Sequence, residues 1–234
     1  MQPVVIRGMH KVSLVDFPGN ICATVFVSGC NMRCPYCHNP ELVLEPENLP
    51  RISGEEVLAF LVKRKGLMDG VCITGGEPTL HKEIGTFAGQ VKELGFKVKL
   101  DTNGSNPRVL SQLLKRDLLD YVAMDIKAAP GRYREVTRTP VNLEDIRSSI
   151  HLLVTGDIRY EFRTTVAPGL INDEEVLSIA GWLAGAQKYV LQQYRPGTVL
   201  DVTFSGRRPY EISRLKNMAE KVAGYFASVE VRGT

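Results

Sequence analysis

Short apolar runs alternate with segments whose apolar residues recur at helical spacing over most of this chain. Runs rich in β-branched residues are typical of buried strands, and the spaced residues are typical of amphipathic helices. The runs predict six strands, at residues 21–27, 71–74, 96–100, 121–124, 160–166 and 189–193, and a further terminal strand at 226–231. Capping and helix-start signals predict helices that begin near Ser53, Asn106, Asn142, Asn172 and Pro209, and apolar residues at helical spacing predict another that begins near Ile84.

This alternation predicts parallel strands joined by right-handed helical crossovers. Six strand–helix units fall short of the eight that close a barrel. The pattern therefore indicates an α/β fold, either a partial (β/α)6 barrel of the TIM type that is open on one side or a doubly wound sheet. We expect one domain over 1–234, with residues 1–20 as a lead-in, the barrel from about residue 21 and a loop at 40–52.

Unusual polar or glycine-rich motifs follow the ends of the predicted strands. In chain order they are the cysteine loop at 29–40, Thr74-Gly75-Gly76-Glu77-Pro78, Asp101-Thr102-Asn103-Gly104, Asp125-Ile126-Lys127, Arg163 inside the fifth strand, and Gln193-Tyr194-Arg195. Ligands of parallel α/β folds bind at the carboxyl ends of the strands. We therefore expect these motifs to form one site.

The cysteine loop predicts a metal centre. Cys30, Cys34 and Cys37 are three of the five cysteines and lie within eight residues. They could bind zinc, with His38 as a fourth ligand, or an iron–sulfur cluster that keeps one iron open. The spacing favours the cluster. Cys22 and Cys72 lie within apolar strands and are expected to be buried thiols.

The other motifs indicate a charged, adenosine-bearing ligand. Gly75 and Gly76 either allow a simple bend or let a ligand approach the backbone. Buried acidic and basic side chains are costly unless they are paired or liganded. A zwitterion would suit them, since Lys127 and the arginines could meet a carboxylate and the glycine turn could meet an ammonium group.

Composition and charge narrow the class of protein. The chain is 44% hydrophobic and 24% charged, which is ordinary for a globular protein, and its net charge of +3 gives no reason to expect nucleic acid as a partner. No apolar run approaches the ~18 residues that span a bilayer. The first residues do not resemble a signal peptide. We therefore expect a cytoplasmic protein without membrane contacts, in which clustered cysteines bind metal or act in catalysis and do not form disulfides.

Two of these motifs resemble those of a known family. Cys30-x₃-Cys34-x-Tyr36-Cys37 resembles the cluster motif of the radical S-adenosylmethionine enzymes, and Gly75-Gly76-Glu77-Pro78 is similar to their methionine-binding turn. Finer matches resemble the activases of glycyl radical enzymes. The matching segments are Cys37-His38-Asn39, 101–104, 125–127, and Arg163 shortly before Pro168-Gly169.

The resemblance to anaerobic ribonucleoside-triphosphate reductase activating proteins is the closest. It rests on the lead-in Ser13-Leu14-Val15-Asp16-Phe17-Pro18-Gly19 and on the run 123–127. Pyruvate formate-lyase activases more typically carry Asp-Gly-Pro-Gly in that lead-in. They also have a histidine where this chain has Arg195, so a contact of Arg195 with the cofactor is the least supported.

The resemblance implies a partial (β/α)6 barrel with one [4Fe-4S] cluster that binds S-adenosylmethionine. Its reductive cleavage would give a 5′-deoxyadenosyl radical, which would abstract hydrogen from a glycine of the partner enzyme. The implied partners are a glycyl radical enzyme, here the large subunit of the anaerobic ribonucleotide reductase, and a flavodoxin- or ferredoxin-type electron donor. The alternatives are activation of another glycyl radical enzyme of the pyruvate formate-lyase type, a small-molecule substrate, or a zinc-binding interaction protein without catalysis.

The resemblance also assigns roles residue by residue. The cluster ligands would be Cys30, Cys34 and Cys37. The contacts to S-adenosylmethionine would come from Tyr36, Cys37, His38, Gly75, Gly76, Glu77, Thr102, Asp125, Lys127, Arg163 and Arg195. A monovalent cation beside the cofactor would be held by Asp101, Thr102 and Asp125. The basic residues Arg132, Arg134 and Arg138 either help to dock the partner or form a solvated loop.

Overall fold

The structure is a computed structural model that describes residues 4–233. The chain forms two compact units. The first contains the described part of 1–31 together with 41–102 and 106–122, and the second contains 32–40, 103–105 and the described residues from 123 onward. The assignment of the whole chain to one domain stays a prediction.

The elements alternate as the sequence predicts, with additions at both ends. The strands are β1 (Ile6–Ser13), β2 (Cys22–Val27), β3 (Gly70–Gly75), β4 (Lys97–Thr102), β5 (Tyr121–Asp125), β6 (Tyr160–Val166), β7 (Lys188–Gln193) and β8 (Ser228–Arg232). The helices are α1 (Pro40–Leu44), α2 (Gly54–Val62), α3 (Ile84–Glu93), α4 (Pro107–Lys115), α5 (Tyr133–Thr137), α6 (Leu143–Thr155), α7 (Asp173–Trp182), α8 (Val202–Ser205) and α9 (Ile212–Val222).

The strands are hydrogen-bonded in the order of the sequence, from β1 to β8. In the first unit β1 pairs antiparallel with β2, and β2, β3 and β4 run parallel. In the second unit β6, β7 and β8 run parallel. The order ends at β1 and β8, so the sheet is not closed, and the predicted α/β class with an open strand–helix repeat is confirmed.

Local capping chemistry explains where four of the helices begin. Ser53 forms a capping box with Glu56 at the start of α2, because each residue satisfies a backbone N–H of the other that has no partner within the helix. The side chains of Asn106, Asn142 and Asn172 accept hydrogen bonds from backbone N–H groups in the first turns of α4, α6 and α7. All four predicted starts are confirmed.

Each unit has its own apolar core. In the first, Val25, Ile73 and Leu100 lie in register across β2, β3 and β4 and are fully buried. In the second, Phe162 and Tyr189 are in register across β6 and β7, and helix α9 packs against both α7 and β7. No helix within residues 4–233 is long and apolar enough to cross a membrane.

Four features of the sequence interpretation need correction. The lead-in contains a full strand, β1, where only a turn was expected. The predicted loop at 40–52 contains the short helix α1 and a 3₁₀ turn. Helix α9 begins at Ile212, three residues after Pro209. The short helices α5 and α8 are additional, whereas the expected terminal strand is present as β8.

Candidate functional site

The cysteine loop is shared between the two units. Cys30 follows β2 in the first unit, and Cys34 and Cys37 lie in the second. Cys34 is buried, while Cys30 and Cys37 are partly exposed, and no disulfide joins any described cysteines. Among residues 4–233 no three histidine, cysteine or acidic side chains are grouped as ligands of a single metal ion. The three cysteines therefore stay a predicted ligand set.

Backbone hydrogen bonds hold the second half of the cysteine loop within its unit. Arg33 N donates to Thr137 O over 2.8 Å, at the end of α5. Leu200 N donates to Cys37 O over 3.0 Å, and Asp201 N donates to Pro35 O over 2.9 Å. These bonds fix the backbone on either side of Cys34 and Cys37 without using a side chain of the motif.

Tyr36 is buried at 4% exposure between these two cysteines. Its hydroxyl has no hydrogen-bond partner among the described residues. Burial raises the pKa of Tyr36 well above its usual value, and the nearby Cys34 adds to the effect while Lys127 opposes it. A buried hydroxyl without a partner is costly. Tyr36 therefore offers a hydrogen bond to a ligand bound beside the cysteine loop.

Asp125, Lys127 and Arg163 form one charged cluster at the end of β5 and in the middle of β6. Arg163 Nε donates to Asp125 Oδ1 over 2.9 Å, and Lys127 Nζ donates to Asp125 Oδ2 over 3.0 Å. Burial alone would raise the pKa of Asp125, but Arg163 and Lys127 outweigh it and lower that pKa to about 2. The cluster carries one net positive charge, which suits a carboxylate-bearing ligand.

Lys127 also belongs to the surroundings of the cysteine loop. Burial would lower the pKa of its ammonium, but Asp125 first and then Cys34 and Tyr36 raise that pKa well above the usual value. Its backbone N–H donates to the hydroxyl of Tyr133, a buried residue of α5 that sequence reasoning did not single out. The structure thus brings five predicted site residues of the second unit together: Cys34, Tyr36, Asp125, Lys127 and Arg163.

His38 and Arg195 are neighbours in the second unit. The His38 ring stacks on Tyr194, with ring centroids 6.3 Å apart and planes 27° apart. Partial burial of the ring lowers the pKa of His38, and the charge of Arg195 lowers it further, against a hydrogen bond with the backbone of Thr198. Arg195 itself is exposed. The end of β7 therefore lies beside the cysteine loop, as expected from the sequence.

In the first unit the glycine turn after β3 is built by close backbone contact. Gly76 N donates to Val27 O over 2.9 Å, and Glu77 N donates to Gly29 O over 2.7 Å. A Cβ atom on Gly76 would lie 1.8 Å from Gly29 O, and Gly75 has a φ of +115°. The two glycines are thus required by the packing of this turn against the chain that leaves β2. A contact between the turn and a ligand stays a prediction.

Glu77 and Thr102 are fixed by one hydrogen-bond network. Glu77 is fully buried, and its Oε1 accepts from Thr79 N over 3.0 Å and from Thr79 Oγ1 over 2.6 Å. The same oxygen accepts from Thr102 Oγ1 over 2.7 Å. This carboxylate ties the turn after β3 to the end of β4, a structural role that the sequence did not indicate.

Asp101 forms an ion pair with Lys99, which sequence reasoning missed. Lys99 is 1% exposed, and its Nζ lies 3.6 Å from Cys72 Sγ. Burial raises the pKa of the Cys22 thiol to about 11. Cys22 and Cys72 are fully buried, as expected for thiols inside strands. The available signal for the pair was spacing, since residues two apart on a strand share a face.

The basic run in the loop after β5 is largely engaged within the second unit. Arg132 donates to Leu170 O over 2.7 Å and pairs with Glu135 and Glu175. Arg138 pairs with Asp201 over 2.6 Å. These contacts favour a structural role for Arg132 and Arg138 over the docking role considered from the sequence.

Residues 24–183 match the family model of the Radical SAM superfamily, which is more than half of the chain. The α/β fold and the cysteine loop described above agree with this match. The chain therefore belongs to the radical SAM superfamily. The predicted radical SAM enzyme is confirmed, and the zinc-binding interaction protein is set aside.

Two relatives make the family more specific. The chain is 32% identical to a Methanocaldococcus jannaschii protein that is provisionally named a glycyl-radical enzyme activating enzyme, over 97% of this chain and 95% of that protein. It is 28% identical to the pyruvate formate-lyase-activating enzyme of Streptococcus mutans, over 81% of this chain and 76% of that protein. The resemblance to glycyl-radical-enzyme activases is thereby confirmed.

Solved structures show the same fold at low sequence identity. Streptococcus suis SuiB bound to S-adenosylmethionine has a TM-score of 0.69 at 15% identity, over 88% of this chain and 48% of that one. A domain of the pyruvate-formate lyase-activating enzyme of Bacteroides vulgatus has a TM-score of 0.57 at 16% identity, over 70% of this chain and 99% of that one.

The described residues fit the groups that the superfamily implies, a [4Fe-4S] cluster and S-adenosylmethionine. The donor set is suitable, because three cysteines without disulfides lie within eight residues, and thiolates are the usual ligands of such clusters. The buried Tyr36 hydroxyl without a partner and the net positive cluster of Asp125, Lys127 and Arg163 suit a polar, carboxylate-bearing cofactor.

Proposed function

We propose that this protein is an activase that generates a glycyl radical on the anaerobic ribonucleoside-triphosphate reductase. The observation that carries the proposal is the similarity to the M. jannaschii relative, which extends over 97% of the chain. The choice of reductase rests on the resemblance of residues 13–19 and 123–127. Asp16 of that lead-in accepts a hydrogen bond of 2.6 Å from Thr24 Oγ1, and Phe17 is fully buried, so the lead-in is part of the first unit.

In this proposal the chain's own residues bind and orient the cofactors. Cys30, Cys34 and Cys37 would hold the iron–sulfur cluster. Lys127 and Arg163, the two cations of the charged cluster in the second unit, would face the carboxylate of S-adenosylmethionine. Tyr36 would donate its unpartnered hydroxyl. When bound and given one electron by a flavodoxin- or ferredoxin-type donor, the cofactors supply the 5′-deoxyadenosyl radical that takes a hydrogen atom from the glycine Cα.

Gly75, Gly76 and Glu77 would contribute backbone groups to the methionine end of the cofactor. Their support is the resemblance of the turn, together with the rigid hydrogen bonds that fix it to Val27 and Gly29. His38, Thr102 and Arg195 complete the proposed contacts. The proposed contact of Arg195 is supported by its proximity to His38.

The second candidate is activation of a pyruvate formate-lyase. It is favoured by the S. mutans relative, whose name carries that activity. The two candidates share the same cofactor chemistry and differ only in the protein that receives the radical, so an assay with both partners can separate them.

The test is radical transfer by the anaerobically loaded protein with dithionite and S-adenosylmethionine. We expect a glycyl radical signal by electron paramagnetic resonance on the anaerobic reductase and none on pyruvate formate-lyase. The opposite result would establish the second candidate. A loaded protein that does not cleave S-adenosylmethionine would contradict the proposed chemistry itself.

Cys34→Ala tests the ligand assignment, and Cys22→Ala is its matched control. Removing one of three ligands should abolish cleavage of S-adenosylmethionine and lower the bound iron. Cys22 is a buried thiol of β2 whose pKa is about 11, so its loss should leave iron content unchanged. Retention of cleavage by Cys34→Ala would show that the ligand set is wrong.

A further inference from the structure

We propose that the ammonium group of Lys99 neutralises Asp101, in the place where the family resemblance puts a monovalent metal cation. The resemblance assigns that cation to Asp101, Thr102 and Asp125. The described contacts of these three residues do not fit such a site. The inference goes beyond the proposed function and does not depend on which protein receives the radical.

Lys99 is placed to supply the charge. It lies two residues before Asp101 on β4, so both side chains project from the same face of the strand. Lys99 is 1% exposed and pairs with the Asp101 carboxylate, whose side chain is 15% exposed. A buried ammonium group is costly unless it is paired. The ion pair therefore satisfies Lys99 and provides Asp101 with one full positive charge.

Residues beside the pair make a polar environment within the first unit. Thr24, Cys72 and Lys99 lie in register across β2, β3 and β4. Lys99 Nζ is 3.6 Å from Cys72 Sγ. Cys22 lies near enough to Lys99 and Asp101 for both charges to affect its pKa. The ammonium group of Lys99 thus lies near the thiols of Cys22 and Cys72 and pairs with the carboxylate of Asp101.

Thr102 and Asp125 are engaged elsewhere. The Thr102 side chain lies on the opposite face of β4 from Asp101, because consecutive strand residues alternate. Its hydroxyl donates to Glu77 Oε1 over 2.7 Å. Both carboxylate oxygens of Asp125 accept hydrogen bonds, from Arg163 and from Lys127. The carboxylates of Asp101 and Asp125 therefore already have cationic partners from the chain, and the Thr102 hydroxyl is held by Glu77.

A tethered ammonium differs from a bound ion in one measurable respect. A metal cation that binds only the folded protein stabilises it by RT ln(1 + [L]/Kd), so the stabilisation rises with the concentration of that cation. The Lys99 charge is present whatever salt surrounds the protein. The wild-type protein should therefore not distinguish potassium from an organic cation at equal ionic strength.

The test is thermal unfolding of the anaerobic, cluster-loaded protein in potassium, sodium or choline chloride at equal ionic strength, with and without S-adenosylmethionine. The three unfolding temperatures should agree to within about 1 °C, because no cation binds preferentially to the folded state. Equilibrium dialysis with radioactive rubidium should show no stoichiometric uptake. Saturable stabilisation by potassium, or one rubidium per chain that Asp101→Asn removes, would overturn the proposal.

Substitutions test the ion pair directly. Lys99→Met should lower the unfolding temperature by at least about 6 °C, because it removes the ammonium partner of a carboxylate whose side chain is only 15% exposed. Lys99→Met combined with Asp101→Asn should recover at least half of that loss, since both charges are gone. A loss in Lys99→Met no larger than that in the control below would contradict the pairing. If Lys99→Met does not fold, the unfolding temperatures and the rubidium uptake of the wild-type protein still test the proposal.

Lys97→Met is the matched control. Lys97 lies on the same strand and the same face but is exposed, and its Nζ donates to Asn20 Oδ1 over 2.8 Å. Its replacement should shift the unfolding temperature by less than about 2 °C. These measurements need neither a partner protein nor turnover, so their failure is distinguishable from failure of the proposed function.

Discussion

The turn at Gly75–Glu77 at the end of β3 and the cluster of Asp125, Lys127 and Arg163 at β5 and β6 are stabilised differently. The turn is stabilised by backbone hydrogen bonds. It also requires a residue without a side chain, because Gly76 lies against Gly29 O. The cluster depends on charge, since two cations share one carboxylate. The first should be sensitive to added volume, and the second should be sensitive to protonation of Asp125.

The largest expected effect is that of Gly76→Ala. The new Cβ would lie 1.8 Å from Gly29 O, so the turn or the chain after β2 must move. We expect the free energy of unfolding to fall by at least about 4 kcal/mol. Urea unfolding measures this loss, and a near wild-type midpoint would show that the close contact can be relieved cheaply.

Gly181→Ala is the control for this substitution. Gly181 lies inside α7, and a Cβ atom there would meet nothing within 4 Å. The same chemical change should raise stability by up to about 1 kcal/mol, because alanine favours the helix.

The next largest effect is that of Asp125→Asn, and it depends on pH. At pH 7 the loss of the carboxylate leaves two cations together, and we expect about 3 kcal/mol of destabilisation. The folded-state pKa of about 2 lies below the ordinary 3.8, so the charge contributes fully above about pH 4 and is lost as the pH falls through 2. The difference between wild type and variant should therefore shrink by about 2 kcal/mol between pH 5 and pH 2.

Asp173→Asn provides the comparison for that pH profile. Asp173 also pairs with one arginine and one lysine, Arg214 and Lys221, but on the surface of the second unit. Exposed pairs contribute little, so the substitution should cost well under about 1 kcal/mol at pH 7. The two carboxylates are similarly exposed, so parallel profiles for the two variants would contradict the importance of the more buried cations beside Asp125.

The smallest effect concerns the side-chain network of the glycine turn. Thr102→Val removes one hydrogen bond to the buried Glu77 carboxylate and should cost about 1.5 kcal/mol. Thr86→Val is matched, because Thr86 Oγ1 donates over 2.9 Å to the carboxylate of Glu83 at an exposed position. Its cost should stay below about 0.5 kcal/mol. Equal losses in urea unfolding would mean that the turn is held by its backbone alone.

The parts of the fold that depend on local chemistry were predictable from the sequence. Asparagine and serine caps act within three or four residues, so the starts of α2, α4, α6 and α7 are correct. Strand β1 was missed because Arg7, His10 and Lys11 interrupt it, so it contains no continuous apolar run. Its strand conformation depends on pairing with β2. A polar edge strand carries little periodic signal.

The grouping of Cys34, Asp125 and Lys127 was predictable from motifs that follow strand ends, and the structure brings these three residues together within the second unit. Their roles as ligands stay predictions. Lys97 and Lys99 look equivalent in the sequence, but only the structure shows that one is exposed and the other is buried against Asp101. The contact of Glu77 with a ligand stays a prediction, and only the structure shows that its carboxylate also accepts hydrogen bonds from Thr79 and from Thr102 at the end of β4.

The backbone of the cysteine loop depends on hydrogen bonds from Leu200 and Asp201, two residues that lie far later in the chain. The family match ends at residue 183, but these two donors lie beyond it. During synthesis, Pro35 O and Cys37 O obtain these two donors only after about 160 further residues have been added. A fragment that stops at the family boundary would carry every predicted cluster ligand and still lack the bonds that position two of them.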